Sequence, residues 1–178
     1  MYYMNRTGVG TQTAAISAGG ILIPGGASAK TQEYDGSSWS EVNAAPANLS
    51  RVAGAGTQTA AVFTGNQSGA DAVYLYDGTN WTVSPATSGD LNSRTFTGTQ
   101  TAGLAVGGGP GSTASELWNG TTFSTDAVLS TARQAHMAST NATQAANYVC
   151  GGNNPGTKLN STEEYTGVAE GTRGFDVS

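Results

Sequence analysis

One phrase occurs four times in this chain and limits what it can fold into. It reads Thr11-Gln12-Thr13-Ala14-Ala15, then Thr57-Gln58-Thr59-Ala60-Ala61, then Thr99-Gln100-Thr101-Ala102-Gly103, with Thr143-Gln144-Ala145-Ala146 as a worn fourth copy. Counted from Gln to Gln, the steps are 46, 42 and 44 residues. A period of this size marks a repeat architecture, in which each copy is one supersecondary unit stacked on its neighbours. Features shared by every copy build the scaffold. Candidates for specific work are the features the copies do not share.

Aligned on Gln, the copies agree further. Seven residues on stands Gly19, Gly65, Gly107 or Gly151, doubled in three copies and followed by Asn66 in the second. The run between is short and small-to-apolar, and period 2 puts Ala14, Ile16 and Ala18 on one face of a strand. The matching sets are Ala60, Val62 and Thr64, then Ala102, Leu104 and Val106, then Ala146, Tyr148 and Cys150. That alignment makes Cys150 a core filler. Next come Tyr34-Asp35-Gly36 with Trp39, Tyr76-Asp77-Gly78 with Trp81, and Trp118-Asn119-Gly120 with Phe123. Asp-Gly and Asn-Gly between strand-like runs are strong hairpin signals, and the paired aromatics give each hairpin a large apolar payload. Arg6, Arg51, Arg94 and Arg133 open the successive units. Each repeat therefore reads as four short antiparallel strands, with repeats at approximately 6–50, 51–93, 94–132 and 133–178 in a single domain. Four-stranded sheets at this period are the blades of a β-propeller.

Composition limits the partners. Among 178 residues there are seven Lys plus Arg against twelve Asp plus Glu, a net charge of −5, and 26 glycines. This balance gives no electrostatic basis for nucleic-acid binding and no basic cluster for an anionic membrane. No apolar run approaches the roughly 18 residues that span a bilayer. Residues 1–6 lack the charged start and apolar stretch of a signal peptide.

The double Gly, the Tyr-Asp-Gly hairpin, the following Trp and the Arg of the next unit together resemble the kelch motif. The wording of the copies is similar to Gly- and Thr-rich kelch-like proteins of bacteriophages, particularly marine ones. The resemblance covers nearly the whole chain. It implies a kelch-like β-propeller and a virion or extracellular-surface protein, and it carries no catalytic residues over. Fold by itself does not dictate function. Four repeats fit a four-bladed ring, which is the expectation here. Half of a dimeric eight-bladed ring and a fragment of a longer protein remain open. The fourth copy has Tyr165-Thr166-Gly167 but Glu170 where the second aromatic belongs. Either Phe175 supplies it after a longer turn, or Tyr2-Tyr3-Met4 closes the ring as an outer strand.

The candidate sites are few. A single His136 and a single Cys150 fall short of a zinc ligand set, and no nucleophile-elbow pattern accompanies His136. His136 is expected to be structural, lining the central channel. Asp35 and Asp77 fit turn chemistry, and no Asp-x-Asp run is present for calcium. The arginines are expected to pair with Glu33, Glu116, Glu163 or backbone carbonyls. No enzyme activity, cofactor or metal is expected. Recognition tends to sit on variable loops over a rigid scaffold. Here those are loops 21–32, 66–71, 108–114 and 152–160, with Tyr74, Asn66, Asn153 and Asn154 as candidate ligand-binding residues. The expected role is a non-enzymatic structural or interaction protein, a phage virion component or decoration that contacts other virion or surface proteins. The alternative is an adhesin or lectin-like module that binds a host-surface glycan. A homo-oligomer is compatible with either.

Overall fold

Each repeat folds where the sequence alternates and turns. The computed structural model describes residues 2–65, 72–84, 93–139, 143–167 and 174–177, and among these there is no helix. Four antiparallel four-stranded meanders follow one another along the chain. Sheet 1 comprises Thr7–Gly10, Ala15–Ala18, Thr31–Tyr34 and Trp39–Val42; sheet 2 comprises Ala53–Thr57, Ala60–Thr64, Val73–Tyr76 and Trp81–Ser84. Sheet 3 comprises Thr95–Gly98, Gly103–Val106, Ser115–Trp118 and Phe123–Thr125. Sheet 4 comprises Met137–Ala138, Ala146–Cys150, Thr162–Thr166 and Gly174–Val177.

The recurring Thr-Gln phrase joins one sheet to the next. Thr99 closes its turn twice, its N–H donating to the Ala102 carbonyl at 2.8 Å and its hydroxyl accepting from the Ala102 N–H at 3.0 Å. Thr11 and Thr143 close the same turn with Ala14 and Ala146. With the turn fixed by threonine, the neighbouring glutamine is free to reach sideways. Its amide nitrogen has two protons, and each finds a backbone carbonyl of the preceding sheet. Gln58 donates to Ala15 and Tyr34 at 3.2 and 2.9 Å. Gln100 donates to Ala61 and Tyr76, both at 2.9 Å, and Gln144 to Gly103 and Trp118 at 3.2 and 3.1 Å.

The hairpin tips repeat as faithfully. Asp35, Asp77 and Asn119 each accept two backbone N–H groups through Oδ1, at 2.7 to 2.9 Å. The following Gly36, Gly78 and Gly120 sit at φ of 95°, 96° and 93°, a region other residues enter only with strain. These bonds favour the charged carboxylate, holding Asp35 down at about 2 and lowering Asp77.

Each sheet has an outgoing face toward its successor and an incoming face toward its predecessor. Ile16 and Ala18, outgoing from sheet 1, pack with the incoming Ala61, Phe63, Tyr74 and Tyr76 of sheet 2. Val62 and Val73 pack with Phe96, Ala105 and Trp118 of sheet 3. Leu104 and Val106 pack with Val149 and Tyr165 of sheet 4. Both faces of the middle sheets are therefore buried, which explains their continuous apolar strands.

The fourth repeat corrects the expected alignment of faces. Asn147 and Val149 are buried, while Tyr148, on the face predicted to be core, is 46% exposed. Cys150, on that same face, is half-buried. Three buried cores join the successive sheets, and among the described residues no buried cluster joins sheet 4 to sheet 1. Phe175 supplies the missing aromatic: it pairs with Tyr165 across the last two strands, ring centroids 5.1 Å apart. Tyr2–Met4 does not extend sheet 4. It pairs with Ile21–Ile23, which also pairs with Gly26–Ala27, in a separate three-stranded sheet.

Candidate functional site

The meander puts two kinds of connection at opposite ends of every sheet. The Thr-Gln turns and Asp-Gly hairpins share one end and are nearly identical from copy to copy. The loops between second and third strands share the other end and differ in each copy. In sheet 1 this loop carries the Ile21–Ile23 and Gly26–Ala27 strands; in sheet 4 it is a small hairpin that pairs Asn153–Asn154 with Thr157–Lys158.

Of the residues singled out for ligand binding, Tyr74 does not join Asn153 and Asn154. Tyr74 is 3% exposed in the core between sheets 1 and 2, so its ring has no face left to stack on a sugar. That expectation is corrected: position 74 belongs to the incoming face, which sheet 1 covers. Asn66 lies outside the described residues. Asn153 and Asn154 are half-buried, and the Asn153 backbone is tied to Gln134 by two hydrogen bonds of 2.9 and 3.0 Å. The tip they support, Pro155 to Lys158, is exposed. Of the three described positions, these two stand beside an accessible loop.

The arginines follow the register. The residue two before the hairpin aromatic lies on the incoming face, and it is Gln32, Tyr74, Glu116 or Glu163. Arg94 pairs with Glu116 at 2.5 Å and Arg133 with Glu163 at 2.6 Å, both pairs buried. Arg6 donates to Gln32 at 2.7 Å and to the Ser17 and Lys30 carbonyls. Glu33, one of the carboxylates expected to pair with an arginine, points to the opposite face and accepts the Tyr76 hydroxyl at 2.8 Å. Tyr74 fills the equivalent place in sheet 2, and Arg51 stays exposed with φ 56°. Where they are bonded, the arginines brace their own repeat: Arg6 within the first, Arg94 within the third and Arg133 within the fourth.

His136 lies between sheets 3 and 4, its Nε2 2.9 Å from the Thr95 hydroxyl, and not among the residues of the central cavity. Burial, reinforced by the nearby Arg133 charge, lowers its pKa to about 4, so the ring is neutral at pH 7.

That cavity, about 1060 Å3, lies between the first strands of all four sheets. Its wall is mostly Gly, Ala and Thr, including Gly54, Ala55, Thr97 and Thr99. Arg94 is the one ionisable residue among the described residues of the wall, and Glu116 holds its guanidinium. The wall therefore offers hydroxyl and backbone groups without an acid–base pair. Among the described residues no group of three or more His, Cys, Asp or Glu is placed to hold a metal.

Sequence reasoning missed the function of Gln58, Gln100 and Gln144. Their invariance across the copies was the available signal, but a repeated glutamine does not reveal which sheet it reaches. Compared with known proteins, the chain matches no family model and no curated relative.

Proposed function

We propose that the four sheets are kelch-like blades of a β-propeller and that the chain is a non-enzymatic structural and interaction protein, a bacteriophage virion component or surface decoration. The observation that carries this reading is the repeated junction. Three successive sheets are fastened to their predecessors by one glutamine contact and a buried core, a design that favours stiffness over motion. The kelch-like wording of the repeats supports the phage assignment, and the low charge agrees with a partner other than nucleic acid. Mass spectrometry of purified particles tests it. The chain should appear in stoichiometric amounts in intact virions, and recovery only as free protein in host cytoplasm would overturn it.

A second reading rests on the exposed Pro155–Lys158 tip beside Asn153 and Asn154. In this reading the variable end binds a host-surface glycan as an adhesin would. Glycan-array binding that is lost when loop 152–160 is exchanged for loop 108–114 would support it. No array signal, with host adsorption unchanged by the exchange, would reject it.

A further inference from the structure

The interior sheets are covered on both faces, whereas among the described residues no buried core forms on the incoming face of sheet 1 or the outgoing face of sheet 4. We propose that these two end faces are the halves of one more junction, made between copies, and that two chains join head to tail at two such junctions to close a ring of eight sheets.

The repeat itself shows that the ends correspond. At the three existing junctions the outgoing residue of the second strand is Ile16, Val62 or Leu104, and the incoming residue next to it in register is Phe63, Ala105 or Val149. At the open ends the corresponding residues are Tyr148 and Ser17. The largest outgoing side chain of the series would meet a short polar incoming one, so a bulky ring would face a small residue and not another bulky one.

The polar groups match in the same way. Tyr76 donates its hydroxyl to Glu33 across the junction between sheets 1 and 2. At the open ends Tyr34 holds the place of Tyr76, and Glu164 holds the place of Glu33. Gln58, Gln100 and Gln144 are half-buried against their predecessors, while Gln12 is exposed and reaches no other sheet among the described residues. The carbonyls that would receive it on sheet 4 are those of Asn147 and Tyr165, by the register of the other three.

Apolar surface is left at both ends. Tyr148 is 46% and Met137 71% exposed on the outgoing face of sheet 4, and Trp39 is 50% exposed on the incoming face of sheet 1. Trp81, in the position equivalent to Trp39, packs against Phe63 and Tyr76 and donates its indole N–H to the Asn43 carbonyl of the preceding repeat. A head-to-tail contact leaves an unused end unless it closes on itself, and two chains are the smallest set that closes both ends.

This inference rests on the repeat contacts and not on the virion reading; particle composition tests that reading separately. Native mass spectrometry and light scattering of the full chain should give twice the 17.9 kDa of one chain. Tyr148→Asp should give single chains that keep the parent's β signal at 25 °C and melt at a midpoint independent of concentration, because Tyr148 supports no core within the chain. A Gln12→Ala/Trp39→Asp double variant should also be monomeric. Mixing the two variants restores one intact junction and should return a two-chain species. A monomeric parent chain, a Tyr148→Asp variant that stays dimeric, or no association on mixing would each overturn the proposal. Trimers or filaments would overturn closure by two.

Discussion

The junction between sheets 1 and 2 and the junction between sheets 3 and 4 are built on the same frame with opposite fillings. The first is aromatic: Phe63, Tyr74, Tyr76 and Trp81 crowd it, and its arginine, Arg51, is turned out to solvent. The second sinks Arg133 and Glu163 to zero exposure, adds the Asn147 to Thr97 hydrogen bond at 2.8 Å, and holds a neutral histidine. Both keep the glutamine contact unchanged. The frame thus depends on the glutamines, while the side chains between them are interchangeable only as complete sets. A buried ion pair adds little over a good apolar filling, but half of one is costly.

The largest expected contrast comes from breaking the polar set. Glu163→Ala leaves Arg133 buried with its main partner gone and withdraws the acceptor from the Ser130 and Thr131 N–H groups. A loss of about 3–5 kcal/mol is expected in chemical denaturation. Converting both residues to apolar ones of similar size should recover most of it; failure to recover would mean the pair does more than fill space.

Acid should separate the two junctions next. His136 is held at about 4 in the fold against about 6.5 when unfolded, so its neutral form belongs to the native state. Its contribution is complete above about 6.5 and is lost as pH falls toward 4, because there the unfolded chain binds a proton that the folded chain excludes. The loss amounts to ~3 kcal/mol. Denaturation at stepped pH should show this slope in the parent chain and a flattened one in His136→Asn.

The glutamines should show no such contrast. Gln58→Ala and Gln144→Ala each remove two hydrogen bonds to backbone carbonyls and should cost about 1–2 kcal/mol apiece, equally at the two junctions. A strong inequality in urea midpoints would mean that the two junctions do not share one frame. The smallest effect belongs to Tyr76→Phe, which deprives Glu33 of its donor and should cost about 1 kcal/mol by thermal melting.

The repeat, the four strands of each copy and the hairpin tips were all legible, because period, alternation and Asx-Gly chemistry are local properties. Phe175 was legible as one of two options. Side-chain alternation separates two faces but does not say which is covered, and in this array most strands are covered on both. That is why Tyr148 was assigned to a core and Tyr74 to a surface. The same ambiguity put Glu33 among the arginine partners, when the residue before it, Gln32, is the one on the face of Arg6. Which sheet covers which face is a long-range fact, carried by three glutamines whose reach the sequence does not display.

Those glutamines have a genetic consequence. Because the donor in one copy and the acceptors in the copy before it are the same at each step, an unequal crossover between two Thr-Gln segments would excise or insert a whole unit. The new neighbours would still present matching groups at the splice. Chain length in such a lineage would change in quanta of 42 to 46 residues, with the glutamine contact kept at the seam and only the side chains between the sheets left to readjust.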